Sequence, residues 1–433
     1  MALPAIDPMP PRAPGRLPWI GSGTRLLRNP TRFFAGVRAR LGDTYVADAF
    51  GRRLFCVFSP AGVRALYALR EDEASFGRAT YDLLTLKLPP ELFAGRRVTP
   101  HRLFAGDDVT RYLRNLEGAV AAAIDELGTA GTCEVFATMR RLGHRLGLAS
   151  WLGTEAASPP WIDRLVPLFD RLDSADTLVR PAAAFRTIAT RWAAERRVLR
   201  ALQEPIGALS DARRAGAESR GDVLDQIHAA YADVPEPDRR IGIARDVVML
   251  QLGSQSNLHA ALAWTFVQVV TRPSLVAAVR AGDADLVERC ASESIRLAQR
   301  SITLRAVLRP LALAIEDRTY RLAPGVLIAT MLSVTNTTAA PGLDGFDPAH
   351  FDGRRLAADV PLPTRELVST FGHGLHACPA QRFAITAIRI AVERLVARYE
   401  IVPRFTTAAP AARQLGAVGR AERPCVITYR ARD

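Results

Sequence analysis

The chain is almost without lysine. Lys87 is the only one, so arginine supplies nearly all of the 57 basic side chains, which outnumber 44 acidic ones and leave a formal charge of +13. Such a surface suits nucleic acid, a membrane or an acidic protein. No basic run is interleaved with aromatics, which make up only 7% of residues, so nucleic acid is not the expected partner. No run of about 20 apolar residues occurs. The first 14 residues are proline-rich and lack a secretory core. The expectation is a soluble, cytoplasmic chain with no membrane anchor. Cysteine is also scarce: Cys56, Cys133, Cys290, Cys378 and Cys425 are scattered, with no Cys-x-x-Cys spacing. That argues against a disulfide framework or a zinc site and fits a reducing compartment. No Ser/Gly-rich or charge-rich linker divides the 433 residues, and 48% are hydrophobic, so one large domain over 1–433 is expected.

What is present is concentrated around Cys378. Phe371-Gly372-His373-Gly374-Leu375-His376-Ala377-Cys378-Pro379-Ala380 places one cysteine after two glycines and two histidines. Apolar residues then recur at helical spacing: Phe383, Ala384, Ala387, Ile388, Ala391 and Leu395. A cysteine at the end of a glycine-hinged loop, beside a helix N-terminus, is expected to have a lowered thiol pKa. A thiolate held this way is a nucleophile or a metal ligand. A small buried hydrophobe is the commoner role of a free cysteine, but that role needs no glycine-rich approach. Axial ligation of haem iron fits a single loop cysteine.

A second irregularity lies upstream. Residues 240–271 read as a long apolar helix interrupted by Gly253-Ser254-Gln255-Ser256-Asn257. Glycine inside a helix costs about 1 kcal/mol relative to alanine, and buried polar side chains cost more unless partnered. Local violations of this kind mark functional sites. Elsewhere, residues 1–18 form a proline-rich entry. A helix over 30–41 precedes strands at 44–50 and 53–58 and a helix at 61–69. Residues 71–106 are irregular, and long irregular loops in compact domains are often functional. A helix over 107–127 carries Arg111 and Arg114. Glu293 and Arg296 share a helix face at i, i+3. Residues 301–307 alternate as a strand, and 311–332 hold further short strands. Segments 30–70 and 301–335 make up the β-rich part of an otherwise mainly α chain.

Together these stretches resemble the cytochrome P450 family. Phe371, Gly374 and Cys378 fall on its haem-loop pattern Phe-x-x-Gly-x-x-x-Cys-x-Gly, with Ala380 in place of the last glycine. Glu293-x-x-Arg296 is similar to the family's Glu-x-x-Arg, and Phe346-Asp347-Pro348-Ala349-His350-Phe351 to its Phe-x-Pro-x-Arg-Phe. The resemblance implies the mainly α P450 fold with small β-sheets and haem b ligated by Cys378. It further implies propionate contacts from His376, Arg305 and Arg114, and a Glu293–Arg296–His350 network that holds the cysteine loop. In the central helix Gly253 matches the family's glycine. Gln255 and Ser256 stand at the acid and threonine positions by simple count; a shift of one puts Asn257 at the alcohol position. This wording is similar to the sterol 7α-hydroxylase and prostacyclin synthase members. Leu252, Ile302, Thr303, Leu84 and Phe93 are the expected pocket residues.

The expected function is monooxygenation of a hydrophobic small molecule (sterol-, terpene-, lipid- or polyketide-like) with dioxygen and electrons from an acidic ferredoxin-type partner. The altered central helix keeps two alternatives open. One is a reductase-independent isomerase, dehydratase or peroxygenase. The other is a non-catalytic haem- or ligand-binding member.

Overall fold

The computed structural model describes residues 7–15, 17–98, 100–104, 110–174, 181–216 and 220–432. Its axis is the helix Asp238–Val270, 33 residues long, or about 50 Å at 1.5 Å per residue. Residues 258–267 are buried without a break. A helix buried on every side lies in the middle of a core. Helix Val135–Leu152 runs against it, brought close by two glycines one turn apart. A Cβ on Gly143 would lie 2.3 Å from the His259 ring, and one on Gly147 2.4 Å from the Gln251 amide. Helices Ala284–Ala298 and Gln381–Arg398 also pack on this central helix.

The strands sit to one side. β1 (Thr44–Ala49) and β2 (Arg52–Val57) form a hairpin whose turn places Phe50 and Gly51 at φ 51° and 73°. β3 (Ala74–Ser75) and β4 (Ala130–Glu134) follow. Then come β5 (Ile302–Val307), β6 (Leu311–Ile315), β7 (Arg318–Leu322) and β8 (Leu327–Met331). The main sheet has the order β1-β2-β8-β5-β3, so the two expected β-rich segments meet in one sheet. β4 pairs with Val426–Ala431, which pairs with Tyr399–Pro403.

One segment departs from expectation. Within 71–106, read as irregular, lies the helix Phe76–Leu84, capped by Ser75, whose Oγ accepts the Arg78 N–H at 2.8 Å. Gly77 in its first turn obscures the pattern, yet Phe76, Thr80 and Leu83 follow i, i+4, i+7. The helix expected over 107–127 runs Thr110–Leu127. Residues 105–109, and the side chains of Thr110 and Arg111, lie outside the described residues.

The seam between the central helix and Val135–Leu152 holds two buried histidines with ring centroids 4.4 Å apart, His144 and His259. His144 contacts Asp170 at 3.1 Å and the Gln251 amide at 2.9 Å. Burial lowers the pKa of both rings. Asp170 opposes this at His144, while His144, Arg140 and Arg420 reinforce it at His259. Both are therefore neutral in the fold under conditions where the unfolded chain, titrating near 6.5, takes up protons. Their contribution is complete above about pH 6.5 and is lost as pH falls toward their folded values. Equilibrium urea denaturation at pH 7, 6 and 5 should show a falling midpoint over this window, before the carboxylates titrate. His259→Leu should flatten the fall; an unchanged slope would contradict the assignment.

Candidate functional site

The cysteine loop is built by its own backbone. Gly372 adopts φ 79°, where a Cβ would lie 2.4 Å from the His376 carbonyl, so no larger residue fits. The Cys378 N–H donates to the Phe371 carbonyl at 2.6 Å, closing the loop. Ala380 has φ −94° and ψ 17°, outside the left-handed region, so alanine serves where a glycine was expected. Helix Gln381–Arg398 then begins.

The loop is tied to a buried polar network. Arg296 and Glu293 are both fully buried, and the guanidinium donates two bonds of 2.6 Å to the carboxylate. Arg296 also donates to the carbonyls of Asn336 and Leu343 at 2.5 Å, and His350 donates from Nδ1 to Glu293 at 2.9 Å. The Asn336 amide donates to the Arg296 and Ser369 carbonyls and accepts the Ser369 N–H. The Ser369 hydroxyl in turn accepts the Gly372 N–H at 3.1 Å. Glu293, Arg296 and His350 thus come together as expected and reach the loop through Asn336 and Ser369. No sequence pattern had marked those two, because their role depends on a contact some forty residues away.

Cys378 opens into a cavity of about 790 Å³. One wall is the central helix, through Asp246, Met249, Leu250, Gly253, Ser254, Asn257, Leu258 and Ala261. These positions follow the i, i+3, i+4, i+7 period of one helix face. Gly253 and Asn257 are exposed in the middle of a core helix, and a Cβ on Gly253 would meet nothing within 4 Å. The remaining walls include Phe93, Phe104, Trp151, Ile302, Thr303, Phe371 and Phe383. Of the expected site residues, Cys378, His376, Phe371, Gly253, Asn257, Ile302, Thr303 and Phe93 line this space.

Other expected residues are placed elsewhere. Gln255 and Ser256 do not face the cavity. Gln255 is buried on the opposite side, its Nε2 donating to the Phe169 carbonyl at 3.3 Å, and Ser256 donates to Asp173 at 2.6 Å. At about 100° per residue, Gln255 lies roughly 150° from the lining face. Leu252 is likewise turned away, its place taken by Met249 and Leu250. Leu84 packs at the margin of the main core, and Leu83 lines the cavity instead. Arg114 is exposed on its helix and does not line the site. Gly374 serves the loop backbone at φ 58° rather than the cavity wall. Arg305 sits behind the wall. Its Nη1 donates to the Leu69 and Ala74 carbonyls and its Nη2 donates to His376 Nε2, each at 2.6 Å, so it positions the histidine.

The electrostatics correct one further expectation. Cys378 is exposed, but into a protein-walled cavity, so burial raises its thiol pKa and the Ala380 N–H lowers it only in part. A single hydrogen bond does not offset desolvation of the thiolate; a cation at the sulfur would. Asn257 Oδ1 accepts the Val418 N–H at 3.1 Å, leaving its NH₂ as the remaining donor. Two charged wall residues went unnoticed in the sequence, Arg97 and Asp246. Asp246 was legible in principle, two helical turns before Gly253 on the same face.

These residues fit a flat, largely apolar cofactor with acidic edge groups. Cys378 lines the space, Gly253 lines it without a side chain, and His376, braced by Arg305, lines it as well.

No family model matches the chain. It is 21% identical over 431 residues to the 24-hydroxycholesterol 7-alpha-hydroxylase of Homo sapiens, an alignment spanning 90% of this chain and 87% of that protein. It is 27% identical over 270 residues to the cytochrome P450 monooxygenase pyr3 of Aspergillus fumigatus, spanning 56% of this chain and 49% of that one. The architecture is the mainly α cytochrome P450 fold with small sheets. Both similarities support the cytochrome P450 superfamily and oxidoreductase chemistry.

Proposed function

We propose that this chain is a cytoplasmic haem-thiolate monooxygenase that inserts one oxygen atom into a hydrophobic, sterol- or lipid-like molecule. The observation that carries the reading is that Cys378 and the bared central-helix positions Gly253 and Asn257 line the same apolar cavity. Bound haem would supply the activation of dioxygen, and a cysteine thiolate ligand favours O–O cleavage. The chain's own residues do the rest. Cys378 would hold the iron, and His376, backed by Arg305, would take an acidic edge group. The apolar walls exclude water from the substrate space, and the Asn257 amide offers a hydrogen bond where the alcohol of the family stands. The +13 charge favours an acidic electron donor, and the human relative's name supports a sterol-like substrate.

One observation favours a second reading, a reductase-independent isomerase or peroxygenase. Both Gln255 and Ser256 face away, and an amide cannot deliver a proton as a carboxylic acid does. Turnover of an oxysterol panel with ¹⁸O₂, NADPH and a ferredoxin system separates the two. The expected product carries one labelled oxygen atom, whereas conversion without dioxygen or reductant would establish the second reading. Asn257→Ala should divert about tenfold more reducing equivalents to hydrogen peroxide. Ser256→Ala, bonded to Asp173 outside the cavity, should leave coupling nearly unchanged.

A further inference from the structure

The cavity wall carries one charged pair, Arg97 and Asp246, among mostly apolar neighbours. Asp246 is well supplied with donors. It accepts the Val98 N–H at 3.0 Å, the Tyr231 hydroxyl at 2.8 Å and Arg97 Nη1 at 3.4 Å. Arg97 is less well served: among the described residues its buried Nη2 has no hydrogen-bond partner, and burial lowers its pKa despite Asp246. A buried guanidinium donor left unmatched costs more than a neutral one. Arg245 adds a second cation beside it, and its hydrogen bond among the described residues goes to the Ala94 carbonyl. Asp246 is thus already satisfied, while Arg97 keeps one donor unmatched among the described residues at the edge of an apolar space.

We propose that Arg97 anchors the carboxylate of an amphipathic substrate, a long-chain or polycyclic acid whose apolar body fills the cavity. This inference rests on the reading of the cavity as the substrate site. A carboxylate supplies the acceptor that Arg97 Nη2 lacks and makes that bond charge-assisted on both sides, whereas an alcohol or an ester would supply only a neutral acceptor. Arg97 is a specificity-determining residue in this role. Its partner Asp246, at the start of the cavity face, is distinct from the Arg305–Glu71 set around His376. That separation assigns Arg97 to the substrate rather than to the edge of the cofactor. Asp246 precedes Gly253 by seven residues, about 10 Å along the helix, so the anchored end lies well away from the Gly253 level where oxygen would be inserted. The carbon oxidised is then remote from the acid group.

The test uses the haem-loaded full chain and two matched pairs, palmitic acid with its methyl ester and lithocholic acid with its methyl ester. Dissociation constants come from the Soret shift and, independently of the haem, from calorimetry. In at least one pair the acid should bind about tenfold more tightly than the ester. Arg97→Met should erase that ratio, and Arg97→Lys should retain part of it. Equal binding of acid and ester by the unaltered protein, or no binding of either pair, overturns the anchor whatever the variants do. So does an Arg97→Met protein that loses haem while keeping the ratio, which would hand Arg97 to the cofactor. If the chain takes up no haem but still prefers the acids by calorimetry, the anchor stands and the monooxygenase reading falls. A thiolate-type haem spectrum with no preference for acids has the reverse meaning.

Discussion

Cys378→Ala is expected to abolish the red-shifted band of the reduced carbonyl complex and all reductant-dependent turnover. The residue is the one cysteine of the five that lines the cavity. Its loop is held by the Phe371 carbonyl and by Gly372, whose geometry does not involve the thiol, so the variant should fold. The raised thiol pKa sharpens the prediction. Desolvation disfavours a free thiolate at neutral pH, so the thiolate is stable here only with a cation at the sulfur. Haem loading should therefore release a proton, and Cys378→Ala should not. Cys133→Ser and Cys290→Ala, both outside the cavity, should leave the spectrum intact. A retained thiolate-type carbonyl spectrum in Cys378→Ala would remove the basis of the functional reading.

Glu293→Ala should cost about 3–5 kcal/mol, because it leaves Arg296 as an uncompensated charge in a fully buried position. Chemical denaturation should show a large loss of stability or a failure to accumulate folded protein. The apolar double replacement Glu293→Leu with Arg296→Met removes both charges and should recover part of that loss. It should not recover haem retention, since Arg296 also holds the Asn336 carbonyl. From Asn336 the connection runs through Ser369 to Gly372 in the cysteine loop. A single variant within about 1 kcal/mol of the unaltered protein would show that the network is not the support of the loop.

Much of the site was legible because it is written in short, contiguous patterns. The spacing of Phe371, Gly374 and Cys378, the i, i+3 relation of Glu293 and Arg296, and the apolar run around Gly253 are local properties of the chain. They survive into the structure because loop closure and helix geometry are local as well. The β-rich segments were legible for the same reason, through short β-branched and aromatic runs bounded by turn residues such as Gly51 and Pro324-Gly325. The helix Phe76–Leu84 was not, because its amphipathic face is short and points into a cavity that only other elements create.

The five-residue polar interruption shows where local reading ends. Its composition announced a functional stretch, but which of its side chains serve the cavity depends on the rotation of one helix against its neighbours. Gly143 and Gly147 set how closely helix Val135–Leu152 approaches, and Asp173 and Phe169 draw Ser256 and Gln255 outward. Gly253, Ser254 and Asn257 are left lining Cys378's cavity. Arg305 stands behind His376 for the same kind of reason, since its Nη1 donates to carbonyls at Leu69 and Ala74 more than two hundred residues away in sequence. The order of residues along the chain thus set the chemistry on offer: one loop cysteine, one buried ion pair and one broken apolar helix. Packing alone decided which of those groups share a space, because facing is a relation between elements and no single segment contains it.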